Sequence, residues 1–219
     1  MYWQDTSEDE HFTITDEVVD VRFRIDCPTL PVDHAWPLRE AICSHLPWFM
    51  EEPIAGLHTI HGADSGNGWE RPQDPDALLH LSRRTRLALR LPQEKVSDAM
   101  GLVGKALDIA GNTMRIGKAD TRLLSVTTTL YSRHVLSDPE KDENQFIEWA
   151  AEQLRTLNIR FKKILAGRES TFKTPAGPLH TRSLMVGNLR YQDALQLQQA
   201  GIGAERTLGC GLFIPQKTV

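Results

Sequence analysis

The segment GIGAERTLGCG, from Gly201 to Gly211, holds two Gly-x-Gly pairs separated by five residues that include Glu205 and Arg206. A helical pattern precedes it and the apolar run Leu212, Phe213, Ile214 follows. Glycine tolerates left-handed backbone that a Cβ would strain, so this segment reads as a tight passage from helix into strand. The same absence of side chains lets backbone approach a bulky ligand, and exposed N–H groups in such a turn can face phosphate oxygens. The stretch therefore calls for a helix before it and a strand after it.

The rest of the sequence supplies those elements. Val19, Val21, Phe23 and Ile25 alternate with Asp20, Arg22 and Arg24, which is a half-buried strand ended by Pro28. Leu38, Ala41, Ile42 and Leu46 lie at helical spacing. Pro37 fits only the first turn of a helix, so this one begins near Ala35 with Asp33 or His34 beside its cap, and Pro47 closes it. Strands follow over 54–62 and 84–91, separated by the turn-rich Asp64 to Trp69 and a proline-bearing connection. Val96, Ala99, Met100, Val103 and Leu107 form the stripe of an amphipathic helix, with a closing strand from Met114.

This order, β-α-β-β-α-β, is ferredoxin-like. The second half repeats it, with a Thr-rich strand over 124–135, a helix over 142–157, strands over 160–165 and 179–187, a helix over 191–199 and the terminal strand over 211–215. The expected fold is therefore α+β, two tandem ferredoxin-like domains over 17–120 and 121–219, preceded by an acidic arm over 1–16.

Charge is uneven along the chain. The formal net charge is −4, yet all 25 Lys and Arg lie beyond residue 20, where they face only 22 acids. From Arg155 to Arg182, seven basic residues (Arg155, Arg160, Lys162, Lys163, Arg168, Lys173 and Arg182) meet the single acid Glu169. A local patch rather than the total decides phosphate binding. Arg83, Arg84, Arg86 and Arg90 form a second basic cluster. Cys27, Cys43 and Cys210 are widely spaced and odd in number, which points to neither a disulfide framework nor a zinc site and places the chain in a reducing cytoplasm. No apolar run approaches the roughly 20 residues of a membrane helix, and the N-terminus lacks a secretory pattern.

Four stretches, PVDHAWPLREAICSHLPWF (31–49), GLHTIHGADSGNGW (56–69), LLHLSRRTRLALRLP (78–92) and LGCGLFIP (208–215), join the glycine segment in a wider likeness. The chain resembles the Cas-six family of the RAMP superfamily of CRISPR RNA-binding proteins, in its MYXAN-type branch. The resemblance implies an endoribonuclease that cuts CRISPR repeat transcripts into guide RNAs without metal or cofactor, leaving 2′,3′-cyclic phosphate and 5′-hydroxyl ends. It implies repeat RNA and mature guide as partners, with other effector-complex subunits, no membrane and no direct contact with DNA. A non-cleaving RNA-binding subunit of such a complex, sharing fold and glycine segment, is the alternative.

Metal-free cleavage uses the RNA's own 2′-hydroxyl as nucleophile, so it needs a base, an acid and cations around the phosphorus. Histidine suits the first two roles near neutral pH. The resemblance places a catalytic histidine at the start of the first helix or in the loop after it, positions held by His34 and His45. Eleven residues of helix put these two at opposite ends of one face, roughly 16 Å apart, so one of them is the main catalyst. A helix N-terminus favours neutral imidazole and hence a base at His34. His58 and His61 point to opposite faces of a strand and form no joint metal site, and His61, beside the turn from Gly62 to Gly68, is the better placed toward RNA. The expected RNA contacts are Arg160, Lys162, Lys163, Arg168, Lys173, Arg182 and Arg206, with Gly201, Gly203, Gly209 and Gly211.

Overall fold

The computed structural model describes residues 15–61, 72, 74 and 77–216. The acidic arm expected over 1–16, except for its last two residues, and the turn from Asp64 to Trp69 lie outside them. In chain order the elements are β1 (Val18–Asp26), β2 (Thr29–Pro31), α1 (Ala35–Cys43), β3 (Gly56–His58), β4 (Leu78–His80), β5 (Arg86–Pro92), α2 (Val96–Ala99), β6 (Ala106–Ile109) and β7 (Asn112–Leu123). There follow β8 (Thr129–Leu136), α3 (Glu143–Thr156), β9 (Lys163–Thr174), β10 (Gly177–Gly187), α4 (Tyr191–Ala200) and β11 (Ile214–Pro215).

Two antiparallel sheets carry the fold. The first runs β3-β5-β1-β7-β6 and the second β11-β8-β10-β9, while β2 and β4 make a separate two-stranded ribbon. Alternation in β1 and β5 sends Val19, Val21, Phe23, Leu87, Leu89 and Leu91 to one face, where they pack with Leu38 and Ile42 of α1. In the second sheet Leu130, Leu184 and Val186 pack against Phe146, Ala150 and Leu154 of α3 and Leu197 of α4. Helix α3 starts cleanly because Asp142 accepts from the Gln145 N–H while the Gln145 side chain accepts from the Asp142 N–H. No helix among the described residues is long and apolar enough to cross a membrane.

Some expected elements differ. The helix expected through Leu107 stops at Ala99 and gives way to a 3₁₀ turn ending at Leu102. Gly104, at φ +83°, turns the chain, and Leu107 and Ile109 are instead alternate positions of a strand, buried together on one face. Helical spacing and strand alternation overlap in this short apolar stretch, and two nearby glycines tip it away from helix. Gly111 accordingly turns the β6–β7 hairpin rather than ending a helix. Strand β9 is also longer than expected, because it pairs with β10 from Lys163↔Gly187 out to Thr174↔Gly177.

A third apolar cluster sits at the junction of the two sheets. It joins Ala35 and Trp36 of α1, Phe172 of β9, Leu179 of β10, and Leu208 and Cys210 of the glycine segment. Helix α1 thus rests its first turn against the second half of the chain.

Candidate nucleic-acid interface

The glycine segment is a packed joint over most of its length. Its four glycines all have positive φ, between +65° and +92°. A Cβ at Gly211 would collide with the Ile202 carbonyl, and one at Gly209 would lie 2.9 Å from the Leu57 carbonyl oxygen of β3. Gly201 is equally enclosed, by the Arg206 side chain and the Gly211 carbonyl. Of the four, Gly203 alone leaves its backbone exposed, and a Cβ added there would meet nothing nearer than the Trp149 ring at 3.4 Å. At Gly201, Gly209 and Gly211 protein fills the space that a ligand would need.

Arg206 explains part of that closure. It is buried, and donates from Nη2 to the carbonyls of Ile54 (2.8 Å) and Gln199 (3.0 Å) and from Nη1 to Ala200. Burial, with Arg90 nearby, pulls its pKa down to about 10. Its charge stitches the glycine segment to the end of α4 and to the first half, so it is turned away from any RNA at the surface. Beside it Arg39 of α1 lies 3.5 Å from Glu205 and 3.8 Å from the Trp36 ring centre.

His34 is 2% exposed. Its Nδ1 lies 2.8 Å from the Pro31 carbonyl, to which it must donate, and its Nε2 accepts from the Ile60 N–H at 3.0 Å. These partners assign the neutral Nδ1–H tautomer and occupy both ring nitrogens. The sequence places His34 at the cap of α1, and there it ties β2 to Ile60, two residues past β3. His45 is exposed just beyond α1, with its backbone N–H bonded to Ile42.

The basic residues divide in the same way. Arg160, Lys162, Lys163, Arg168 and Lys173 are exposed on and just before β9. Arg182 is buried on β10, held by Glu169 and by Glu143 at 3.6 Å, so its charge is already neutralised. Arg90, from the other basic cluster, is 1% exposed. It donates to both oxygens of Asp20 and to the carbonyls of Gln198 and Phe213. Burial raises the Asp20 pKa, but His58 and Arg90 outweigh it and hold the carboxyl well below its ordinary range.

A groove of about 1000 Å³ opens over the second sheet. Tyr131, Arg133 and His134 of β8, Leu165 and Arg168 of β9, and His61 are among its lining residues. His134 packs against Phe172 with ring centres 4.6 Å apart and the ring planes inclined by 57°, and its Nδ1 lies 3.2 Å from the Thr181 hydroxyl. Sequence reasoning passed over Tyr131 and His134. The period-two alternation of β8 was the available signal for Tyr131 and Arg133 sharing one face. Among the described residues no three His, Cys, Asp or Glu side chains converge as a metal site.

A family model described as Cas6 Crispr matches residues 19–218. A CRISPR-associated endonuclease Cas6 of Myxococcus xanthus (strain DK1622) is 29% identical over 197 residues, which is 90% of this chain and 81% of that relative. Among solved structures, a CRISPR associated protein Cas6 superposes with TM-score 0.63 at 10% identity, over 92% of this chain and 100% of that one. A structure described as an RAMP protein binding different RNA substrates gives 0.60 at 11% identity, over 90% and 98%. At such identities the two structures speak for the fold.

Proposed function

Because the chain belongs to the Cas6 CRISPR family, we propose that it is an endoribonuclease that binds CRISPR repeat RNA and cuts it without metal to release guide RNAs. The observation that carries this reading is the run of exposed cations Arg160, Lys162, Lys163, Arg168 and Lys173 within a family match spanning nearly the whole chain. Exposed cations on one hairpin are suited to a phosphate backbone. We read the two sheets, each with its first and third strands central, as two ferredoxin-like units over 17–120 and 121–219, after an arm at 1–16.

In the proposed reaction the 2′-hydroxyl of the RNA attacks the adjacent phosphorus, and the bond to the departing 5′-oxygen breaks. A base takes the 2′ proton and an acid supplies one to the 5′-oxygen. The products carry a 2′,3′-cyclic phosphate and a 5′-hydroxyl, and no water is consumed. His45 is the histidine we assign to proton transfer, since it is exposed at the end of α1. His34, enclosed with both nitrogens engaged, holds the α1 entrance in place. Gly203 and the exposed cations of β9 contact the RNA. The protein then stays on the guide as a subunit of an effector complex in the cytoplasm.

Incubation with repeat RNA in excess EDTA tests this. Cleavage once per repeat is expected. Intact RNA despite tight binding would make the chain a non-cleaving RNA-binding subunit, and absence of salt-sensitive binding would overturn both.

A further inference from the structure

The open face of the second sheet carries a row of side chains that the core does not use. Ile214 pairs with Tyr131, Tyr131 with Met185, and Met185 with Leu165, so these four lie directly opposite one another across β11, β8, β10 and β9. Directly opposed residues share a face. The neighbouring positions Leu130, Leu184 and Val186 go to the core on the other side. All four members of the row line the groove. Leu165 is 53% exposed, and the other three are partly exposed.

Single exposed apolar residues are ordinary, but a contiguous row across a whole sheet needs a partner. The edges of the row suggest which. Arg133 shares a face with Tyr131 two residues away, its guanidinium 5.9 Å from the Tyr131 ring centre, and Arg168 lines the same groove. Two carboxylates also line it, but Glu169 is paired with Arg182 and Asp33 accepts from the Lys173 N–H at 2.7 Å. The groove thus offers a flat apolar and aromatic floor with guanidinium groups beside it. Unpaired nucleotides match that pattern, because bases present apolar faces while phosphates keep to the edge. A duplex does not match it, since its bases are stacked inside and it would leave the floor wet.

We infer that the Ile214–Tyr131–Met185–Leu165 row is a stacking platform for an unpaired stretch of the RNA, with Tyr131 as its principal contact and Arg133 and Arg168 beside the phosphates. This rests on the RNA-binding reading above. Four strands give a row about 14 Å long, room for about two or three bases on a sheet of this kind.

The experiment uses the full chain and two probes, a single-stranded repeat RNA flank bearing 2-aminopurine and a repeat hairpin without flanks. With the native protein the flank is bound and its fluorescence changes on stacking. Tyr131→Leu is expected to lose that change and about tenfold in flank affinity, while the salt dependence of binding and the hairpin affinity stay as they were. Leu165→Glu, at the most exposed position of the row, is expected to weaken flank binding as well. If both variants bind and stack the flank like the native protein while Lys162→Ala/Lys163→Ala loses RNA, the platform is refuted and RNA binding stands. If the variants keep RNA but shed another effector subunit, the row is a protein interface and the inference fails. A native chain that binds neither probe would defeat the RNA reading itself.

Discussion

Arg90 faces Asp20 directly across the β1–β5 ladder, Nε to Oδ1 at 2.8 Å and Nη2 to Oδ2 at 3.0 Å. The remaining nitrogen, Nη1, reaches the carbonyls of Gln198 and Phe213 in the other half of the chain. Arg206 returns the contact from the second half to Ile54 in the first. Two buried guanidinium groups therefore clasp the halves in opposite directions and fix the surfaces that flank the groove.

Breaking this clasp has a clear signature. Asp20→Asn leaves Arg90 without its counter-charge, and a loss of about 3 kcal/mol or more is expected at neutral pH. The native Asp20 carboxyl stays charged well below its ordinary range. On acidification the unfolded chain takes up this proton first, near about pH 4. The stability that Asp20 contributes is thus present above that pH and is lost as pH falls further toward the folded value. Denaturant titrations at a series of acidic pH values should show a shallower acid limb in the variant. An unchanged limb would mean that the clasp is not ionic in the folded protein.

The glycines separate packing from binding. Gly211→Ala is expected to cost about 2 kcal/mol or more, since it combines a strained φ with a collision against the Ile202 carbonyl. Gly203→Ala should cost less, about 1 kcal/mol, because the strained φ opposes it without a backbone collision. RNA affinity should respond to Gly203→Val more than to its change in stability. Equal destabilisation at the two positions would contradict the packed-joint reading.

These contrasts show where sequence reasoning reaches and where it stops. Alternation located β1 and β5, and the same alternation set Asp20 and Arg90 on the polar face of the first sheet. Whether that face meets water or the other half is decided by packing distant in sequence, so Arg90 belongs to a basic cluster in the sequence yet lies against Gln198 and Phe213 in the fold. The glycine segment was legible as a tight helix-to-strand passage. Its spacing could not tell backbone crowded by β3 from backbone open to a ligand. For the histidines, the cap position of His34 was visible, but its partner Ile60 lies 26 residues on, beyond α1 and β3, where no local pattern links the two.

Histidine substitutions test the site assignment. His45→Ala should slow cleavage about 10²-fold or more with little change in RNA affinity, as loss of acid–base help does. His34→Ala should instead lower stability by about 1 to 3 kcal/mol, because it leaves the Ile60 N–H and Pro31 carbonyl unpaired. Single-turnover cleavage and thermal unfolding on the same preparations distinguish the two. A His34 variant that folds natively and fails to cut, beside an active His45 variant, would reverse the roles.

The exposed cations should act additively through salt. Each of Lys162→Ala, Lys163→Ala and Arg168→Ala is expected to weaken RNA binding and to flatten the plot of log affinity against log salt by about one unit. Arg182→Met, at a buried and already paired site, should leave that slope alone. A slope insensitive to the three surface changes would place the phosphate contacts elsewhere.

The most direct test of the proposed chemistry is a repeat RNA with a single 2′-deoxy sugar at the nucleotide whose hydroxyl attacks, once the cut has been mapped. The account expects this RNA to bind like the unmodified one and to remain intact. Cutting at the usual position and rate would show that the 2′-hydroxyl is not the nucleophile, and would contradict the mechanism.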